Sequence, residues 1–252
     1  MEVPAAVVVV AVAEIKKTNN KLTTPTIMFA RSKNVFWAIS LVSCYTLYAV
    51  GQIWLFISKQ QEEEFYTLVT KYSSDWINAH LILMLSLLLI LPAYFAIKNY
   101  LRDCKRLYWI DLSIFFICLW VFVLFGQFTI DLCIVELFKL PQEKSYEILD
   151  QIQANTIINA LFYNNSKLFI LFKVFDFGML AQLCLLIAMI VSRKIPKWAI
   201  VVFIAGLLLT TFGILLHPVY GRIIKRVSYS FFSISFLPIA LYFLKNYKTD
   251  FR

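Results

Sequence analysis

The sequence predicts an all-α integral membrane protein: a six-transmembrane-helix bundle with both termini on the cytoplasmic side and two amphipathic helices in its outer loops. Three observations lead there. First, 61% of the 252 residues are hydrophobic and only 15% are charged, against roughly 45–50% and 25% in a soluble domain. One globule cannot hide that much apolar surface, so the natural solvent is lipid. Second, six stretches come close to the roughly 20 mostly apolar residues that a helix needs to cross about 30 Å of hydrocarbon. They are 35–57, 79–97, 109–137, 168–192, 198–217 and 227–244. Unpaired backbone groups in lipid are costly and these runs do not alternate as barrel strands do, so helices are the expected form. Third, the cations are unevenly distributed. Putting the N-terminus inside places 15 Lys and Arg in inner segments and 7 in outer loops, in line with the positive-inside rule.

Taken in order, residues 1–34 form a cytoplasmic or interfacial tail, 35–244 the transmembrane domain and 245–252 a second cytoplasmic tail. Residues 1–13, "MEVPAAVVVVAVA", are apolar but too short to span and lack the basic leader of a signal peptide. Helix 1 places Tyr45, Tyr48 and Gln52 on one face. In the loop that follows, Phe65, Leu68, Val69, Tyr72 and Trp76 recur at helical spacing, so 61–77 reads as an amphipathic helix on the outer leaflet. Helix 2 opens "WINAHLIL", which sets His80 at the outer rim. Helix 3 enters near Trp109. At 1.5 Å per residue, Asp131 lies near its outer boundary with Gln127 one turn earlier on the same face, and Glu136 lies beyond. Residues 145–162 give a second amphipathic pattern.

Helix 4 carries Lys173 and Asp176, three apart and so on a shared face, with Asp176 close to the midplane. Helix 5 spaces Gly206, Thr210, Gly213 and His217 along one row, where small residues let a neighbour approach. Helix 6 adds Ser228, Ser233 and Ser235. Pro92 and Pro238 are expected to kink helices 2 and 6. Helices 1, 3 and 5 each start near a tryptophan (Trp37, Trp109, Trp198) and carry a later glycine (Gly51, Gly126, Gly213). Helices 2 and 6 end "LPAYFAIKNY" and "LPIALYFLKNY". The echo reads either as three related hairpins or as biased composition with interfacial aromatics.

Ionisable side chains in hydrocarbon cost about 2.5–3.5 kcal/mol on insertion scales, so they mark candidate sites. Here they concentrate in the outer half. The candidate ligand-binding set is Asp176, Lys173, Asp131, Gln127, His80, His217, Tyr48 and Gln52, around a polar pocket open to the extracytoplasmic side. Such a pocket suits a small solute, a lipid headgroup or a proton. Each carboxylate also has a plain alternative: Asp131 as the end of a span, and Lys173–Asp176 as a mutually neutralising pair.

Two other classes compete. His80 and His217, the two histidines of the chain, fall at matched depth. They could ligate a haem axially or, with Asp131, a divalent metal. Alternatively, the polar faces could mate with another membrane protein, the chain being a non-catalytic subunit. A net charge of +9 clusters beside apolar runs, so it speaks for membrane topology and against nucleic acid. No phosphate loop, HExxH or G-x-S-x-G is present, so catalysis is not expected. The five cysteines lack CxxC spacing and read as small buried hydrophobes. "NNS" (164–166) matches a glycosylation sequon on the outer side.

Overall fold

The structure is a computed structural model, and it describes residues 32–57, 72–104, 108–144, 177–216 and 220–249. These residues form helices α1 (Ser32–Ile57), α2 (Ser73–Tyr100), α3 (Tyr108–Lys144), α4 (Phe177–Ser192), α5 (Lys197–Leu216) and α6 (Tyr220–Thr249). No strand occurs among the described residues. Four helices are long and apolar enough to cross a membrane: α1, α2, α3 over Tyr108–Cys133 and α6 over Ile223–Asn246. Helices α4 and α5 are apolar but shorter over their described lengths.

Three helices outrun the apolar stretches that mark them. Helix α2 starts at Ser73, α3 continues to Lys144 and α6 starts at Tyr220. Apolar residues mark only the hydrocarbon portion, whereas a helix keeps satisfying its own backbone groups through the polar margin. One assignment changes as a result. Trp76, expected in an outer-leaflet helix over 61–77, belongs to α2 and is buried. Residues 58–71 and the second expected amphipathic helix, 145–162, lie outside the described residues, as does the "NNS" site. Helices α2 and α6 run through Pro92 and Pro238 without a break.

The pairs α1–α2, α2–α3 and α5–α6 run antiparallel, as their contacts show. On α1 and α2, Tyr45 meets Tyr94 and Trp54 meets Asp75. On α2 and α3, His80 meets Asp131 at one end and Lys98 meets Asp111 at the other. On α3 and α4, Ser113 donates to the Ala181 carbonyl. On α5 and α6, Thr210 meets Ser228 and Phe203 meets Phe236.

Close approach occurs where glycine removes a side chain. A Cβ at Gly51 of α1 would fall 2.7 Å from Leu83 Cγ and 3.2 Å from the Ala79 carbonyl oxygen of α2. At Gly206 of α5 it would fall 3.0 Å from Phe231 Cβ of α6. The predicted Gly206–Thr210 row is therefore the face that mates with α6. Gly126 meets nothing within 4 Å, so the glycine shared by the three hairpins does not do the same job in each. A small residue matters only where a neighbour arrives.

Helix α1 also packs against α3 and α6. Trp37 packs on Phe243 of α6, Tyr48 on Trp120 of α3 and on Tyr229 of α6, and Tyr45 on Phe232 and Phe236. Cys44 and Cys184 are buried as expected, but Cys118 and Cys133 lie on the outward face of α3. Helix α3 is peripheral and buries one face only.

The two ends of the bundle differ in chemistry. One carries Lys98, Arg102, Asp103, Asp111, Lys194 and Lys197, all at or near a surface. There Lys194 Nζ lies 3.4 Å from Asp103 and the Tyr100 hydroxyl donates to the Lys194 carbonyl at 3.3 Å. The opposite end is the His80 end.

Candidate functional site at the His80 end

Helical spacing builds the centre of this end. Trp76 and His80 are four apart on α2, and Phe128 and Asp131 are three apart on α3, so each pair projects from one face. The His80 ring lies 4.5 Å from the Trp76 ring and 5.6 Å from Phe128, centroid to centroid. Its Nε2 atom is 3.2 Å from Asp131 Oδ2, and its Nδ1 atom is 2.8 Å from the Trp76 carbonyl oxygen. The Trp76 indole N–H in turn donates to the Asp131 main-chain carbonyl at 3.2 Å. His80 is 1% exposed and Asp131 13%.

Hydrogen-bond counting gives this arrangement chemical content. A main-chain carbonyl and an ionised carboxylate are both acceptors, whereas a neutral imidazole has one N–H to donate. With both ring nitrogens facing oxygen, one N–H cannot serve both. A second proton between Nε2 and Oδ2 would satisfy both contacts. Either the imidazolium faces the carboxylate, or the protonated acid faces a neutral imidazole. In both forms the pair is neutral overall, which suits burial. Without it, one of the two acceptors, the carboxylate or the carbonyl, faces a ring lone pair.

Around this centre the rim is tied across two more helices. Asp75, in the first turn of α2, accepts from the Trp54 indole of α1 at 3.3 Å, and its charge suits a helix N-terminus. Arg226 of α6 donates through Nε to the Gln52 main-chain carbonyl at 3.0 Å, with its guanidinium 4.6 Å from the centroid of Phe56. That is cation–π geometry.

The predicted set divides clearly. The structure brings His80 and Asp131 together, so Asp131 is a partnered side chain on a helix that continues past it. Gln52 joins the rim through its backbone. Tyr48 is buried between Trp120 and Tyr229. Gln127 is half-buried on α3, one turn from Asp131. Lys173, Asp176 and His217 lie outside the described residues. As for a metal or haem, both nitrogens of His80 already face oxygen and its ring is enclosed by aromatics. No group of three His, Cys, Asp or Glu forms a metal-binding set among the described residues.

Sequence reasoning missed these rim residues: Trp54 lies unremarked inside the first apolar stretch, and Asp75, Trp76 and Arg226 fall in segments read as outer loops. It also missed a mid-depth cluster. The Tyr45 and Tyr94 hydroxyls are 2.9 Å apart, and the Gln182 side chain of α4 hydrogen-bonds Tyr45. The signal for Gln182 was available: a lone amide inside the apolar run "MLAQLCLLIAMIV".

No protein-family model, curated protein or solved structure matches the chain.

Proposed function

We propose that the chain is a six-span membrane protein with both termini cytoplasmic. Its extracytoplasmic end binds or passes a small polar species, with a proton held between His80 and Asp131 as the exchangeable part of the site. The observation that carries this reading is the buried imidazole between two oxygen acceptors, an arrangement complete only when a proton is bound. The small solute and the lipid headgroup remain within the same reading, because Arg226 and Asp75 place charged groups at that end. Lys173, Asp176 and His217 enter it from the sequence alone. The excess of cations at the Lys98 end supports the orientation.

Proteoliposomes loaded with a pH-sensitive dye test this reading. After an external acid step, vesicles with the wild-type protein acidify faster than protein-free vesicles, and the folded Asp131→Asn variant does not. Equal rates for wild type, variant and empty vesicles would reduce the pair to an internal strut.

A second reading is that the chain is a subunit of a larger membrane assembly. The outward face of α3 favours it: only 22% of its apolar spanning stretch is buried, against 44–50% for α1, α2 and α6. Co-purification of a stoichiometric partner from the native membrane separates the two.

A further inference from the structure

Charge at the Lys98 end is not spread evenly. Lys98 itself is neutralised by Asp111. Other cations gather where the end of α2 meets the turn between α4 and α5. Arg102 Nε and Lys194 Nζ lie 3.8 and 3.4 Å from the two oxygens of one carboxylate, that of Asp103. Arg193 and Lys197 flank Lys194 in the turn, and all four cations are exposed. Four positive charges against one negative leave an excess of three at this joint. The positive-inside rule asks for cations somewhere at this end. It does not ask that two separate segments bring them to one point.

Contacts to the main chain hold the joint together. The Tyr100 hydroxyl donates to the Lys194 carbonyl at 3.3 Å, and Cys104 Sγ donates to the Ser192 carbonyl at 3.8 Å. Tyr100 also packs on Tyr242 of α6, with ring centroids 4.9 Å apart. The turn is thus stitched to α2 through its backbone, so its place does not rest on the cations alone. Arg193 follows the last residue of α4 in the left-handed conformation, φ 54°. Glycine is the usual residue at such a helix end, because a Cβ is strained there.

Depth says what the joint meets. The apolar span of α2 ends at Tyr100 and the apolar part of α5 begins at Lys197. The four cations therefore sit at the border of the hydrocarbon, the level of phospholipid headgroups. From Lys197, the positions i+4, i+11 and i+15 on one face of α5 are Val201, Leu208 and Phe212, which are 51–63% exposed. A cationic head above an uncovered apolar stripe matches both parts of a phospholipid, whereas a soluble anion matches the first part only. We propose that this joint binds an anionic phospholipid. Its phosphate is drawn to Arg102, Arg193, Lys194 and Lys197, and an acyl chain follows the α5 stripe.

Native mass spectrometry of the full chain, titrated in micelles with phosphatidylglycerol or phosphatidylcholine, tests it. A basic side chain near anionic lipid is worth about fivefold in affinity. The result expected is a preference for phosphatidylglycerol of about tenfold or more, fading as salt is raised. Arg193→Gly should lower that preference about fivefold with no loss of stability, because glycine suits the left-handed position. Lys194→Gln, which keeps the carbonyl bonded by Tyr100, should lower it likewise. Lys33→Gln removes the same charge from α1 at the same end and should leave it unchanged. Equal affinity for the two lipids overturns the proposal. So does an equal fall in all three variants, which would mean diffuse charge rather than a site. Glycerol 3-phosphate carries the phosphate without acyl chains. If it displaces the lipid at equal concentration, the joint serves soluble phosphate esters and the lipid assignment falls. The joint lies at the opposite end from His80 and its readout involves no proton flux, so either proposal can fail alone.

Discussion

Helices α2 and α3 are joined twice, once at each end, and the two joints teach opposite lessons. At the basic end, Lys98 Nζ lies 2.6 Å from Asp111 Oδ1, with the side chains 45% and 52% exposed. At the far end, His80 lies 3.2 Å from Asp131 with exposures of 1% and 13%. By distance alone the first is the stronger contact. Burial reverses that order. An exposed pair gains little because water and salt screen it and ordering two flexible side chains opposes it. A buried pair adds little net stability relative to an apolar core, yet breaking it strands a charge or a polar group without solvent. The His80 joint is therefore the sensitive one, and it alone can couple protonation to the fit of two helices.

The largest expected effect comes from breaking the buried joint on one side. Asp131→Leu leaves the imidazole without its partner and should cost about 3–5 kcal/mol, in the range seen when one member of a buried pair is removed. Equilibrium unfolding in bilayers or detergent measures it. A loss no larger than that of Lys98→Ala would erase the contrast between the joints. Next comes the double variant His80→Phe with Asp131→Leu, which removes both polar members together. It should recover all but about 1–2 kcal/mol of that loss, and a double-mutant cycle reads the coupling directly. Additive losses would mean that the two side chains do not act as a unit.

A smaller effect isolates the indole. Trp76→Phe keeps the ring against His80 but deletes the N–H donated to the Asp131 carbonyl, for a loss of about 1 kcal/mol. If it costs as much as Asp131→Leu, the tryptophan rather than the ion pair organises this end. The smallest is Lys98→Ala at the basic joint, about 0.2–1 kcal/mol and fading as salt is raised. The same unfolding assay at two salt concentrations checks it.

The comparison also bears on what could be read from the chain. The spans were legible because composition fixes the solvent, and four of them are present as long apolar helices. Their ends were not, because a helix continues where hydropathy stops. Trp76 shows the consequence: its periodicity was visible, but the same period fits the start of α2 and a surface helix equally well. His80 and Asp131 could be placed at the same depth by counting residues. Their contact could not, because neighbouring order among helices is a tertiary fact. The Gly206–Thr210 row was legible as a face, whereas Gly126 was not distinguishable from Gly51 by sequence, since only the neighbour differs. Ser233 looked like an ordinary helix serine, and that its buried Oγ has no hydrogen-bond partner among the described residues is visible only in coordinates.

The central claim is that a proton sits between His80 and Asp131, and the histidines are few enough to test it directly. The chain has two, so 15N-histidine labelling gives two imidazole signal sets, assigned with His217→Gln. For His80, near neutral pH, the account predicts a proton hydrogen-bonded between Nε2 and Asp131, replaced in Asp131→Asn by the spectrum of a neutral ring with a single N–H. A neutral ring with a bare Nε2 in the wild type, unchanged in Asp131→Asn, would contradict it.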